Sequence, residues 1–310
     1  MRYLVISLTA LTLASCNRDP NYLKQKYLAN GNKYFAAGRL NEASIMYRRA
    51  LEKDRKYGEA WYRLALTDLK KGSVPNGVND LRRAVAELKP GTPESNDAIL
   101  KLSEIYIIAA QAKEGDEALV KEVSDYSAGL LKRNPNSWEG LKLTGDLALL
   151  DAAVLYRKGL VPDAKKALGE AITDYRKALN SKPGDYTITL ALGRSILLDC
   201  QTAEAEALFK SLVDKEKTNL NGYLELYRVY LQTRRLPEAE ALLNSAIRSN
   251  PKETSLRLEL ARFYYATNKR DDLVALLNKM KADLKQFPQA YIQAGDFFIR
   301  LNQFDEAIKQ

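Results

Sequence analysis

Histidine is missing from all 310 residues of this chain. Its absence excludes a histidine-dependent nucleophile triad, a histidine-ligated zinc centre and an imidazole general base, and with them most hydrolase designs. Cysteine occurs only at Cys16 and Cys200, so no pair is spaced to hold a metal. There is no Walker-type phosphate loop and no G-x-G-x-x-G turn after a strand, which removes the usual nucleotide and dinucleotide cradles. The sequence therefore calls for no cofactor. Its leading apolar stretch, Leu4 to Leu13, is too short to span a bilayer.

What is present is an ordinary share of apolar residues, 46%, with 28% charged, enough to bury a core rather than remain disordered. The net charge is +9, a balance that points to anionic partners: nucleic acid, membrane headgroups, acidic polymers or acidic protein segments. The first residues narrow that choice. Arg2 supplies a positive start, the short apolar stretch follows, and small residues precede a cysteine in Leu13-Ala14-Ser15-Cys16, the layout of an export signal. The last four residues resemble a bacterial lipobox. The resemblance implies a signal peptide over 1–15, a diacylglyceryl-modified Cys16 as the mature first residue, and a short linker over 16–21. Several acyl chains on one residue would give stable anchoring. Asn17 after the cysteine favours, by the same resemblance, the outer membrane facing the periplasm. Export removes nucleic acid from the expected partners. Acylation of Cys16 would leave Cys200 without an intramolecular disulfide partner; near a helix end, Cys200 reads as a half-buried small hydrophobe or, less favoured, a reactive thiol.

From about residue 22 the chain repeats itself. Gly31 and Ala65 are 34 residues apart, and Gly193, Tyr227, Ala261 and Gly295 keep the same step. A second row runs from Ala43 to Gly77 and later through Ala171, Ala205, Ala239, Leu273 and Ala307. This period predicts a stack of helical hairpins, a solenoid that binds rather than catalyses. Tyr27, Gly31 and Tyr34 share one helical face, as do Ala43, Tyr47 and Ala50 on the next helix, so small residues let the backbones approach while aromatics fill the gaps. The stretch Ala36-Ala37-Gly38-Arg39 predicts the turn, with glycine in the left-handed conformation. Pro135, Pro183 and Pro251 close units, since proline cannot continue a helix.

Trp61, Leu64, Ala65, Gly77, Leu81 and Ala84, and again Tyr223, Leu226, Tyr230, Ala239, Ala246 and Pro251, make the pattern resemble the tetratricopeptide repeat (TPR). The resemblance implies an all-α, right-handed superhelical solenoid of antiparallel helix pairs over 22–310, about eight units with the last incomplete. Between Ala65 and Gly193 the step stretches to 38, 42 and 48 residues. Pro90-Gly91-Thr92-Pro93 accounts for the first as a link, and Leu147 to Lys166 for the third as a lengthened first helix before a turn near Gly159; drift or a docking feature would explain the excess. At the other end the eighth unit stops soon after Ala307 without a polar cap, which predicts further repeats in a longer protein.

In TPR proteins the first helix of each hairpin lines a groove, and the residue after the small site points into it. Carried onto this chain, that row is Asn32, Leu66, Glu104, Asp146, Arg194, Arg228, Arg262 and Asp296. Asn32, Asp146 and above all the three arginines are the candidate partner-binding residues, because a guanidinium ladder of one sign suits an extended acidic ligand. The alternative is local pairing: Glu225 and Glu259 precede Arg228 and Arg262 by three residues, whereas Arg194 has Ala191 there and lacks such a local partner. Tyr62, Tyr227, Tyr264 and Tyr265 are expected in packing sites rather than on a ligand surface. Arg48, Arg49, Lys53, Arg55 and Lys56 form a basic run that could touch headgroups or remain a solvated face. Glu104 and Asp146, at equivalent places in adjacent units, leave a two-carboxylate glycoside hydrolase formally open, although most carboxylates here are solvated helix faces and no enzyme is expected. The expected function is a membrane-anchored scaffold for envelope proteins or acidic peptide segments. The resemblance extends to the multi-TPR lipoproteins of exosortase and exopolysaccharide systems. A glycan-binding lipoprotein is the main alternative; an RNA-binding repeat protein conflicts with export.

Overall fold

The computed structural model describes residues 19–112 and 116–309; the lipobox and Cys16 lie outside them. Among the described residues there are sixteen α-helices and no strand. The chain divides into two compact units, one ending at Pro183 and the other starting at Gly184. The first holds α1 (Pro20–Ala36), α2 (Leu40–Lys53), α3 (Gly58–Lys70), α4 (Val74–Glu87), α5 (Pro93–Ala112), α6 (Glu117–Arg133), α7 (Trp138–Arg157) and α8 (Val161–Ser181). The second holds α9 (Tyr186–Leu198), α10 (Thr202–Lys215), α11 (Leu220–Gln232), α12 (Leu236–Ser249), α13 (Thr254–Ala266), α14 (Arg270–Ala282), α15 (Ala290–Arg300) and α16 (Phe304–Lys309). Within each unit consecutive helices pack as antiparallel pairs, and each pair packs on the next. No helix among the described residues is long and apolar enough to cross a membrane.

The pairing rests on small residues facing rings. Gly31 lies against the Tyr47 ring, Gly145 against Tyr175 and Gly193 against Phe209; a Cβ at the last two would stand 2.8 and 2.6 Å from a ring carbon. The three aromatics are fully buried, so the ring has no room to retreat and overpacking would follow. Ala43, Ala50, Ala65, Ala84, Ala205, Ala239 and Ala246 are likewise sealed, and Leu64, Leu81, Tyr223, Leu226 and Tyr230 fill the space between pairs. Tyr227, which breaks the small-residue row, is itself buried and meets Phe263 edge-on with centroids 6.4 Å apart. Tyr62 and Tyr264 are also buried, and Tyr265 is partly so.

The hairpin turn repeats one left-handed residue. Gly38, Gly72 and Gly159 occupy it in the first unit; Cys200, Arg234, Asn268 and Asn302, at φ of 57–62°, occupy it in the second. Position 200 is thus a turn apex, and Cys200 is exposed, which corrects the half-buried packing role expected for it. Pro135, Pro183 and Pro251 each sit in the turn that closes a helix pair. The extra length of the middle repeats goes into helices: α5 and α7 have 20 residues and α8 has 21, against 13 or 14 in α2, α3 and α4. The link at 90–93 is a turn through Gly91 that delivers Pro93 to the start of α5.

Candidate functional site

The residue after the small site behaves differently in the two units. In the first it is half-buried and engaged internally. Asn32 accepts a hydrogen bond from the Tyr47 hydroxyl at 2.8 Å, and Asp146 accepts one from Tyr175 at 2.7 Å. Where the facing ring is Phe209, which has no hydroxyl, the equivalent position is Arg194. The nature of that residue thus follows the chemistry of the ring across the pair.

Asp146 has a second partner. Lys142, one turn earlier on α7, places its ammonium 2.8 Å from Asp146 and 3.1 Å from Glu104 on α5. Its side chain is almost wholly buried. Burial by itself would lower the lysine pKa, but the charges of Asp146 and Glu104 and their hydrogen bonds outweigh it and hold the ammonium above its ordinary value. The two carboxylates considered for glycosidic chemistry are therefore bridged by a cation. Lys142 was not singled out from the sequence; its place four residues before Asp146 on one helical face was the available signal.

In the second unit the row is exposed. Arg194, Arg228 and Arg262 leave 46, 59 and 50% of their side chains in solvent, on three successive first helices. Arg194, which has no acid one turn earlier on its own helix, is paired across the repeat: its Nε and Nη2 both reach Glu225 of α11 at 2.8 Å. Glu225, buried to 3% exposure, also lies 3.1 Å from Nη1 of Arg228. That second contact has ion-pair distance without hydrogen-bond alignment, since the same Glu225 oxygen has no hydrogen-bond partner. Arg262 is held by Glu259 at 2.6 Å. The row is thus three guanidinium groups braced by two carboxylates, of which Glu225 is buried and Glu259 partly exposed, with further N–H donors left for an incoming acceptor.

The row continues to Asp296, exposed on α15. Between α13 and α15 a concavity of about 220 Å³ is lined by Leu258, Arg262, Gln293, Asp296, Phe297 and Arg300. The Gln293 Oε1 there is buried and unpartnered. An apolar floor with convergent polar groups is the usual make-up of a small recognition pocket. A larger cleft of about 450 Å³ lies along lengthened α7, where Val120, Leu147, Leu150 and Val154 form its floor.

Two models of one family, described as "Tetratricopeptide repeat", match residues 28–93 and 197–256, one stretch in each unit. The repeats in those two stretches are tetratricopeptide repeats. Among solved structures, one titled as the APC/C hetero-tetramer Cut9-Hcn1 covers 80% of this chain and 44% of its own, at 16% identity and a TM-score of 0.57. A thermophilic TPR protein of Thermus thermophilus is 23% identical and covers 78% of this chain and 99% of its own, at a TM-score of 0.40. A curated Candida albicans protein named "Peroxisomal targeting signal receptor" is 23% identical over 217 residues, 63% of this chain. The chain spans about a third of that relative's length, 35%. The family matches and the likeness to the Cut9-Hcn1 structure show the all-α TPR fold. TPR repeats are in general modules for binding other proteins.

Proposed function

We propose that this chain is a lipid-anchored scaffold of the bacterial envelope that captures an acidic segment of a partner protein on the first helices of its second unit. One observation carries the reading: the row of Arg194, Arg228 and Arg262, one guanidinium per repeat, each about half exposed while Glu225 beneath is almost wholly buried. A guanidinium held at one edge by a carboxylate is fixed in orientation and keeps donors for a second carboxylate from outside. Because Glu225 and Glu259 offset much of the charge, recognition would depend on spacing as well as sign, which suits an extended peptide with carboxylates at matching intervals. Reception of a signal is also what the Candida relative's name says of that protein. Acylation at Cys16 would hold the scaffold at the outer membrane, and its service would be the assembly of an export or exopolysaccharide machine.

The test is crosslinking of the tagged full chain in its native membranes, comparing wild type with Arg194→Gln/Arg228→Gln/Arg262→Gln. Glutamine is used because glutamate at 194 or 228 would face Glu225 with like charge. Defined envelope proteins captured by wild type and lost from the variant are expected. Capture that persists undiminished would remove the arginine row from the reading, and anionic polymer co-purifying without protein would put a glycan in the partner's place. Cys16→Ala is expected to release the chain from the membrane fraction; retention would refute the anchor.

A further inference from the structure

The first unit carries a basic surface of its own, built from α2, α3 and α4. Two adjoining concavities there share Arg48, Trp61 and Arg83. One, of about 420 Å³, adds Glu52 and Arg55 over Leu51 and Leu64; the other, of about 620 Å³, adds Asn76, Asn79, Asp80 and Arg82. Trp61 is fixed at both ends: its Nε1 donates to the Arg55 carbonyl at 2.8 Å, and the Arg83 guanidinium lies over its ring at 4.7 Å.

The four arginines are not all explained by the acids around them. Arg48 answers buried Asp68 at 3.6 Å, and Arg82 is taken up by the Tyr106 hydroxyl and by Glu122 at 3.6 Å. Arg55 and Arg83 have no carboxylate within ion-pair distance among the described residues, although Glu52 and Asp80 line the same surface. Two cations without an ion-paired acid thus border Trp61, Arg55 in the first concavity and Arg83 in both, and the amides of Asn76 and Asn79 edge the second. Forked guanidinium donors match the oxygens of a phosphoryl group, and the amides add neutral donors.

We propose that the recess formed by Arg48, Arg55, Arg83 and Trp61 binds a phosphate-bearing ligand, its phosphoryl oxygens on the guanidinium groups and its remainder against the indole. Free phosphate compounds and phospholipid headgroups share this chemistry. Membrane proximity would favour the headgroup, but the recess needs no anchor to work.

Trp61 is its own reporter, since the chain has only one other tryptophan, Trp138. The full chain carrying Trp138→Phe, purified in detergent, is titrated with inorganic pyrophosphate and, separately, with a short-chain phosphatidylglycerol, at constant ionic strength. Saturable change in Trp61 emission with either probe, weakened at least tenfold by Arg55→Gln/Arg83→Gln, is the expected result. Response to pyrophosphate identifies a free phosphate ligand, and response to the lipid alone identifies a headgroup. The proposal is overturned if neither probe gives saturation, if chloride at matched ionic strength gives the same change, or if the double variant responds as its parent does. Should Trp138→Phe not fold, the rise in melting temperature of the unsubstituted chain with each probe, and its loss in the double variant, reads the same equilibrium.

Discussion

Glu225 on α11 takes the guanidinium of Arg194 on α9 at 2.8 Å, reaching back across a repeat boundary while buried to 3% exposure. The contact joins two first helices and braces Arg228 as well. It makes the row both structural and available, and the two roles separate on mutation. Glu225→Gln is expected to cost about 1–3 kcal/mol, the usual penalty for weakening a buried charged hydrogen bond, and to strengthen capture of an acidic partner with a steeper salt dependence, because two arginines lose their internal competitor. Denaturation and capture at two salt concentrations measure both effects. Lower stability together with weaker capture would mean that the row serves packing alone.

The turn apices offer a stabilising change. Cys200 and Arg234 hold left-handed backbone that costs a side-chain-bearing residue about 1–2 kcal/mol and glycine almost nothing. Cys200→Gly and Arg234→Gly are each expected to raise stability by up to about 1 kcal/mol, after allowing for the greater freedom of glycine in the unfolded chain. Chemical denaturation of the single and double variants checks this; the sites are in successive repeats and their effects are expected to add.

Lys142 tests the buried charge network. Lys142→Met leaves Asp146 and Glu104 without their shared cation and is expected to cost about 3 kcal/mol. Adding Glu104→Gln and Asp146→Asn to the same chain removes the uncompensated charges and is expected to recover much of that loss. Because the folded pKa of Lys142 lies above 10.5, the stability it contributes is complete below the unfolded value and is lost as pH rises through the folded one. Denaturation midpoints followed through the alkaline range check it.

Asp80 titrates in the opposite range. Burial, helped by the charge of neighbouring Asp68 and opposed by Arg48 and Arg83, pushes its carboxyl up to about 6 from 3.8. The proton is bound more tightly in the folded chain, so the contribution to stability is complete below the unfolded value and is lost as pH rises through about 6. Ionised Asp80 therefore costs the fold on the order of 1–3 kcal/mol at neutral pH. Asp80→Asn is expected to stabilise the protein above pH 6 and to flatten this part of its pH profile. A variant that is less stable at pH 8 than its parent would contradict this account.

Repeat spacing was legible because packing in a helical hairpin is local: Gly31, Gly145 and Gly193 each need only the ring opposite to explain them. The lengthened α7 and the glycine turn at position 38 were readable for the same reason. Cys200 was misplaced because a turn apex that glycine normally holds can also be taken by another residue, and composition does not reveal a positive φ. The partner of Arg194 was not legible because it lies 31 residues away, beyond any i, i+4 rule.

Sequence by itself determined the all-α repeat architecture, the absence of histidine chemistry and the identity of the residues on the first-helix row. Those properties follow from periodicity and composition, which are written into a single chain. Tertiary structure alone decided that Asn32 and Asp146 turn inward to tyrosines while Arg194, Arg228 and Arg262 stay half exposed, that Lys142 is buried between two acids, and that Arg48, Arg55 and Arg83 gather round Trp61. The physical reason is that charge pairing and burial depend on distances between repeats, and these exist only once the helices are stacked.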